Sequence, residues 1–256
     1  MERQARQCTD LIDFAEIRAG DRVLDVGCGT GSVAIALTRR AEPAAIVGID
    51  IAAPYIDYAA SRSVDPRLEF RVGDAATLEF SEQSFDCCFS LLALNFMADP
   101  WRALLEMHRV TRAAGLVAAA VWDFPGGLVY QRIFWDTVSG ARCRGHRGRH
   151  YSSPLTGPEE LAAAFRSAGL RNVRQCSLTI RMEYRDFGDY WEPIADAQGP
   201  VGDYVKGLPP DRLNGLAAAV RRAYLAGRPD GPRSMAATEW AACGTAPNDM
   251  PAGERR

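Results

Sequence analysis

The chain predicts an α/β protein built on a doubly wound, mostly parallel sheet, and three observations lead there. Short apolar segments alternate with helix-patterned ones over the first 122 residues, the signature of strand–helix–strand units joined by right-handed crossovers. The stretch Val23–Ala34, VLDVGCGTGSVA, reads as a buried strand, a glycine-packed turn and the start of a helix. Gly27–Gly31, Asp50, Asp74 and Leu92–Phe96 all fall where predicted strands end, the edge at which such sheets bind ligands.

Residues 3–18 suit an amphipathic helix with Leu11, Ile12, Ala15 and Ile17 among its apolar positions. Gly20-Asp21 turns into a first strand, Arg22–Val26, and Ser32–Arg40 forms the first crossover helix. A second strand, Ala45–Ile49, ends at Asp50, and 54–62 is a helix with Pro54 in its first turn. Leu68–Val72 and Phe85–Leu92 are the third and fourth strands, and 100–112 is a helix. Gly115–Trp122 is a fifth strand, apolar throughout, as a strand covered on both faces must be.

Beyond Trp122 the pattern loosens. Residues 126–139 read as an aromatic-rich helix, followed by an arginine–glycine loop at 142–149. Gly157–Ala168 is a helix with Pro158 at its start and Gly169 past its end. Val173–Tyr184 and Ser234–Gly244 are strands on either side of a helical insertion at 186–226, and 247–256 is a disordered tail.

Composition narrows the function classes. A length of 256 residues suits one generous domain, taken as 1–246 with cap insertions near 123–156 and 186–230. A net charge of −2 argues against a nucleic-acid surface. The longest clean apolar run, Gly115–Trp122, is far too short to cross a membrane. Seven cysteines without a C-x-x-C pair fit reduced thiols in a bacterial cytoplasm, and no metal-ligand spacing is present.

The glycine spacing separates cofactors. Dinucleotide sites use G-x-G-x-x-G, whereas Gly27, Gly29 and Gly31 form G-x-G-x-G, with Ser32 where the third dinucleotide glycine belongs. Asp50 can accept hydrogen bonds from both hydroxyls of a ribose, which by itself does not tell an NAD site from another nucleoside site. Gly73-Asp74-Ala75 after the third strand adds an acid for which a dehydrogenase has no particular use.

Residues 23–34 resemble the first motif of class I S-adenosylmethionine-dependent methyltransferases, and Gly73-Asp74-Ala75 resembles their G-D-A motif. Ala103–Val121 is similar to their L-x-E-x-x-R-V-L-x-P-G-G segment, departing at Thr111 and Ala114. The resemblance extends to the small-molecule group related to the ubiquinone and menaquinone C-methyltransferases, without the quinone enzymes' own glycine motif. It implies a Rossmann-like sheet of seven strands, the last antiparallel, with a helical cap. It also implies S-adenosyl-L-methionine as cofactor and S-adenosyl-L-homocysteine as product. Asp25, Gly27, Gly29 and Gly31 would hold the methionine part, Asp50 the ribose hydroxyls, and Asp74 with the Ala75 amide the adenine, with Cys28, Ile51 and Leu91 also in the cofactor site. Relatives carry a longer segment before the first strand, so the expectation here is a misassigned start or a more open pocket.

On the acceptor side the residues leave more open. The exit of the fourth strand lacks the (D/N)-P-P-Y of enzymes that methylate base or glutamine amines, which disfavours such acceptors. The expected reaction moves a methyl to O, N or C of a small, apolar molecule, with a monomer or homodimer as the working unit. Holding the nucleophile about 3 Å from the methyl can remove roughly 7–11 kcal/mol of the barrier. A phenol or carbon acid would gain from a base, for which His146, His150 and Asn95 are the candidates. Glu106, His108 and Arg109 read as structural or surface residues. Trp122, Tyr130, Phe134, Trp135, Tyr190 and Trp191 either line an apolar pocket or form the cap's core. The alternatives are an NAD(P)-dependent oxidoreductase and a non-catalytic S-adenosylmethionine-binding protein.

Overall fold

A computed structural model of the chain describes residues 10–141, 153–195 and 200–248. Seven strands form one sheet in the order β3-β2-β1-β4-β5-β7-β6. They are β1 (Arg22–Val26), β2 (Ala45–Asp50), β3 (Leu68–Val72), β4 (Phe85–Leu91), β5 (Thr111–Trp122), β6 (Arg171–Tyr184) and β7 (Arg233–Thr245). The β1–β2, β2–β3, β1–β4 and β4–β5 pairs are parallel, and β7 runs antiparallel to β5. The helices are α1 (Ser32–Arg40), α2 (Ala53–Arg62), α3 (Pro100–Val110), α4 (Val129–Ala141), α5 (Glu160–Ser167), α6 (Phe187–Ala195), α7 (Pro200–Lys206) and α8 (Pro210–Leu225). The chain leaves β1 toward β2 on one side, while β4 pairs on the other. The loops after β1 and β4 therefore diverge and open a crevice at the carboxyl edge.

The residues group into two compact units, one of Met1–Asp123, Pro154–Leu178 and Glu239–Arg256, the other of Phe124–Ser153 and Thr179–Thr238. In the first unit each face of the sheet has its own core, because successive side chains point to opposite faces. Leu24, Val26, Cys88, Val117, Ala119, Val121 and Ala242 pack with Leu104 and Met107 of α3 and Phe165 of α5. Val23, Cys87, Phe89, Ala118, Ala120, Ala241 and Cys243 pack on the opposite face with Val33 and Leu37 of α1 and with Leu11, Ile12 and Ala15. The second unit closes on Phe134, Trp135, Tyr184, Tyr190, Val220 and Tyr224.

Most expected elements are present, and the differences have local causes. Residues 10–15 are helical, while the expected helix start before residue 10 lies outside the described residues, as do the 142–149 loop and the tail from 249. Helix α3 stops at Val110 rather than 112, because Thr111 turns extended and its hydroxyl donates to the Met107 carbonyl at 2.6 Å. Strand β5 starts at Thr111, four residues before Gly115, through an irregularity in its pairing with β4 and a left-handed Ala114. Helix α5 starts at Glu160 rather than Gly157, since Glu159 is left-handed at φ 65° and Pro158 belongs to the preceding turn. Helix α4 begins at Val129, later than 126, because Leu128 bridges to Ala237 and the Gly127 carbonyl accepts from Thr238 N–H at 3.0 Å.

Candidate functional site

The turn after β1 is held by backbone and glycine geometry. The Gly27 and Cys28 amides both donate to the Ile49 carbonyl, at 2.8 and 2.9 Å, which ties the turn to the end of β2. Gly27 and Gly31 adopt φ 72° and 77°, a left-handed region that glycine enters without strain. Each is also packed too closely for a side chain. A Cβ on Gly27 would sit 2.4 Å from the Ala93 Cβ beyond β4, and one on Gly31 2.7 Å from the Phe70 ring. A Cβ on Gly29 would meet nothing within 4 Å, so this residue faces open space.

Gly31 caps α1 with no side-chain hydrogen bond and no acidic residue in the first helical turn. The N-cap glycine thus offers the first backbone N–H groups of that helix no side chain, the arrangement that suits an anionic group, while the Ala34 amide one half-turn on lies near the Asp25 carboxylate.

Asp50 ends β2 and spans the turn. Its Oδ2 accepts from the Gly29 amide at 3.0 Å and its Oδ1 from the Ala52 amide at 2.9 Å. Each oxygen retains acceptor capacity toward a ligand. Beside it Ile51 is 74% exposed, a large apolar side chain left on the surface at this edge. Asp74 follows β3, and its Oδ1 accepts from Ala76 N–H at 2.9 Å. The Gly73 amide donates to the Asp50 carbonyl at 3.0 Å, so the ends of β2 and β3 are joined. Ala75 is half-buried and packs against the α3-side core. Leu91, the last residue of β4, packs on the α1 side.

Asp25 is the electrostatic anomaly. It is 1% exposed, and neither carboxylate oxygen has a hydrogen-bond partner among the described residues. Burial raises its pKa to about 7; the Ala34 backbone amide pulls the other way, and the Asp50 charge adds to the rise. Leaving a buried polar group without a partner costs about 1–3 kcal/mol, more when it is charged. Cys28 points inward, its thiol pKa pushed far up by burial and then by the Asp25 and Asp50 charges. Its contribution to the turn is the backbone amide, which donates to the Ile49 carbonyl.

Other expected site residues fall in different places. Asn95 is 4% exposed and bridges two segments. Its Oδ1 accepts from Trp122 N–H at 2.8 Å, and its Nδ2 donates to the Pro154 carbonyl at 3.1 Å. The amide thus sets the β4 exit against the end of β5, a positioning role. His146 and His150 lie outside the described residues. Glu106 and Arg109 are structural, as expected. The buried Glu106 carboxylate accepts from Arg109 at 2.7 Å and from Leu78 N–H at 3.0 Å, while Arg109 donates to the Leu78 and Phe80 carbonyls. His108 is half-buried, and burial lowers its pKa.

Of the six aromatic residues, Phe134, Trp135 and Tyr190 are core of the second unit, with Tyr130 and Trp191 packed against them. The Tyr190 hydroxyl donates to the Tyr130 carbonyl at 2.7 Å. Among the described residues no group of side chains has the composition of a metal site, and no helix is long and apolar enough to cross a membrane.

One buried acid escaped the sequence reading. Glu239 on β7 is 2% exposed, with both Oε atoms unpartnered among the described residues. Burial, and after it the Asp10 charge, raises its pKa to about 8. A single carboxylate in β7, directly before the apolar run Trp240–Cys243, was the available signal.

The comparisons with known proteins agree with this geometry. The methyltransferase domain family matches residues 24–119. A demethylmenaquinone methyltransferase of Thermus thermophilus is 32% identical over 194 residues, covering 70% of this chain and 86% of that protein. The 27-O-demethylrifamycin SV methyltransferase of Amycolatopsis mediterranei is 35% identical over 138 residues, and the match spans half the length of each. Among solved structures, the YcgJ protein of Bacillus subtilis superposes with a TM-score of 0.62 at 19% identity. That match covers 94% of this chain and 98% of that one, and is a likeness of fold. With its strand order, its glycine turn and these relatives, the chain belongs to the class I S-adenosylmethionine-dependent methyltransferases.

Proposed function

We propose that the protein transfers a methyl group from S-adenosylmethionine to a small molecule. The observation that carries this reading is the pairing of two features at one turn: the unpartnered, buried Asp25 carboxylate and the uncapped start of α1. A ligand with an ammonium and a carboxylate on one carbon satisfies both, and the methionine portion of the cofactor has that chemistry. Asp25 would take the ammonium, and the Gly27–Gly31 turn with the first amides of α1 would take the carboxylate. Asp50, already oriented by the Gly29 and Ala52 amides, would hold the ribose hydroxyls. Ile51 offers an apolar surface to the adenine, with Asp74 and the Ala75 amide reading its edge. Leu91 would close the pocket beside β4.

When bound, the cofactor supplies a methyl already activated on a sulfonium sulfur. The protein's part is to orient the acceptor, keep water out and accommodate the proton that an acceptor hydroxyl or amine loses. One relative is named a demethylmenaquinone methyltransferase and another a 27-O-demethylrifamycin SV methyltransferase, both names of small-molecule acceptors. The acceptor here is accordingly read as an apolar small molecule.

Isothermal calorimetry tests the reading. S-adenosylmethionine and S-adenosylhomocysteine should bind, and NAD should not; NAD binding with no response to either sulfur compound would overturn it. Asp50→Ala should weaken S-adenosylhomocysteine by more than about tenfold. It removes ribose hydrogen bonds worth on the order of 1 kcal/mol each and frees the Gly29 amide as well. An unchanged affinity would remove Asp50 from the ribose role.

A further inference from the structure

Glu239 is a second buried acid that the cofactor reading does not use. On β7, Ala241 and Cys243 pack into the α1-side core, so Glu239, two residues along, points to that same face. Asp25 stands in the same relation to Val23 on β1, and Trp122 to Ala120 on β5. Glu239 pairs in register with Trp122, the last residue of β5, and so stands at the carboxyl edge of the sheet.

A continuous path joins it to the cofactor turn. Gly27 abuts Ala93 beyond β4, Asn95 follows two residues later, its side chain holds Trp122 N–H, and Trp122 lies beside Glu239. Among the described residues, the charged and titratable groups acting on Glu239 are Asp10 and, from β6, Cys176. Neither supplies a positive charge. Both Oε atoms lack a partner among the described residues, a state a folded protein retains at a cost of about 1–3 kcal/mol or more.

Building on the methyltransferase reading, we propose that Glu239 selects the methyl acceptor by hydrogen-bonding a hydroxyl group on a flat, apolar molecule. The aromatic side chain of Trp122 beside it suits such a ring system. The raised pKa favours the neutral carboxyl at neutral pH, and a neutral carboxyl can both give and take a hydrogen bond with a neutral hydroxyl. An ammonium would demand the charged form. Glu239 thereby becomes a specificity residue on the acceptor side, two strands across the sheet from β4.

Three probes of one shape test this: naphthalenemethanol, its methyl ether and naphthylmethylamine, each titrated at pH 7 into the full chain saturated with S-adenosylhomocysteine. The wild type should bind the alcohol about tenfold more tightly than the ether, and more tightly than the amine. Glu239→Leu should reduce the alcohol-to-ether preference below about threefold while S-adenosylhomocysteine affinity stays unchanged. Glu239→Gln, which keeps a hydrogen-bonding group, should retain part of the preference and covers the case in which the leucine variant fails to fold. An alcohol bound no more tightly than the ether, a preference that survives Glu239→Leu, or an amine bound best would each overturn the proposal. Failure of S-adenosylhomocysteine to bind the wild type would instead overturn the methyltransferase reading on which it rests.

Discussion

The ends of β1, β2 and β3 and the neighbourhood of β5 and β7 both present acids at the carboxyl edge, but they are built differently. At the first, backbone does the work. Two glycines lie where a Cβ would collide, amides of Gly29 and Ala52 grip Asp50, and the start of α1 has no capping side chain. At the second, side chains do it: Asn95 sets the β4 exit against Trp122, and Glu239 is buried beside that residue in the strand register. A backbone-built site is specified by a short contiguous motif. A side-chain-built site depends on which strands become neighbours, and β5 and β7 are more than a hundred residues apart in sequence.

The largest expected effect separates two roles within the glycine turn. Gly27→Val should destabilise the fold by about 2–5 kcal/mol in urea denaturation, because it combines a left-handed backbone with a collision at Ala93. Gly29→Ala meets no protein atom and should cost only about 1–2 kcal/mol of stability. Its loss of S-adenosylhomocysteine affinity should exceed its loss of stability. Equal stability losses for the two variants would mean that the turn is held some other way.

Next come the two buried acids. Both have folded pKa values above their ordinary ones, so the folded state binds protons more tightly and each group's contribution to stability declines as pH rises. For Glu239 the window runs from its ordinary value of 4.5 to about 8, and for Asp25 from 3.8 to about 7. Glu239→Gln and Asp25→Asn should each gain stability relative to wild type across its window, by on the order of 4 kcal/mol at the upper end. Denaturation midpoints at a series of pH values check this. Saturating S-adenosylmethionine should shrink the Asp25 difference and leave that of Glu239 in place, which distinguishes the cofactor end from the acceptor end. A pH-independent difference for either variant would mean that the acid is already partnered.

The smallest effect tests the second unit. Tyr190→Phe removes the 2.7 Å hydrogen bond to the Tyr130 carbonyl and should cost about 1 kcal/mol. Cofactor affinity should not change, since Tyr190 belongs to the core of the other unit. A change in affinity would show that this core supports the cofactor site.

Much of this was legible in the order of residues alone. The strand ranges of β1 and β3 and the helix Ser32–Arg40 follow from local apolar pattern and glycine punctuation, which act within a few residues. The spacing of Gly27, Gly29 and Gly31 told against a dinucleotide, Asp50 and Asp74 fell at the ends of strands whose direction the βαβ rule dictates, and the resemblance of residues 23–34 and 73–75 to methyltransferase motifs implied the cofactor class. What tertiary structure alone decided was partnership. Only the folded sheet shows that Asn95 is spent on Trp122 and Pro154, that Tyr190 is core, and that Asp25 and Glu239 are buried with their oxygens unmatched. Burial and hydrogen bonding depend on atoms brought together from distant segments, so a residue's type announces what it could bond and the fold determines whether that bond is made.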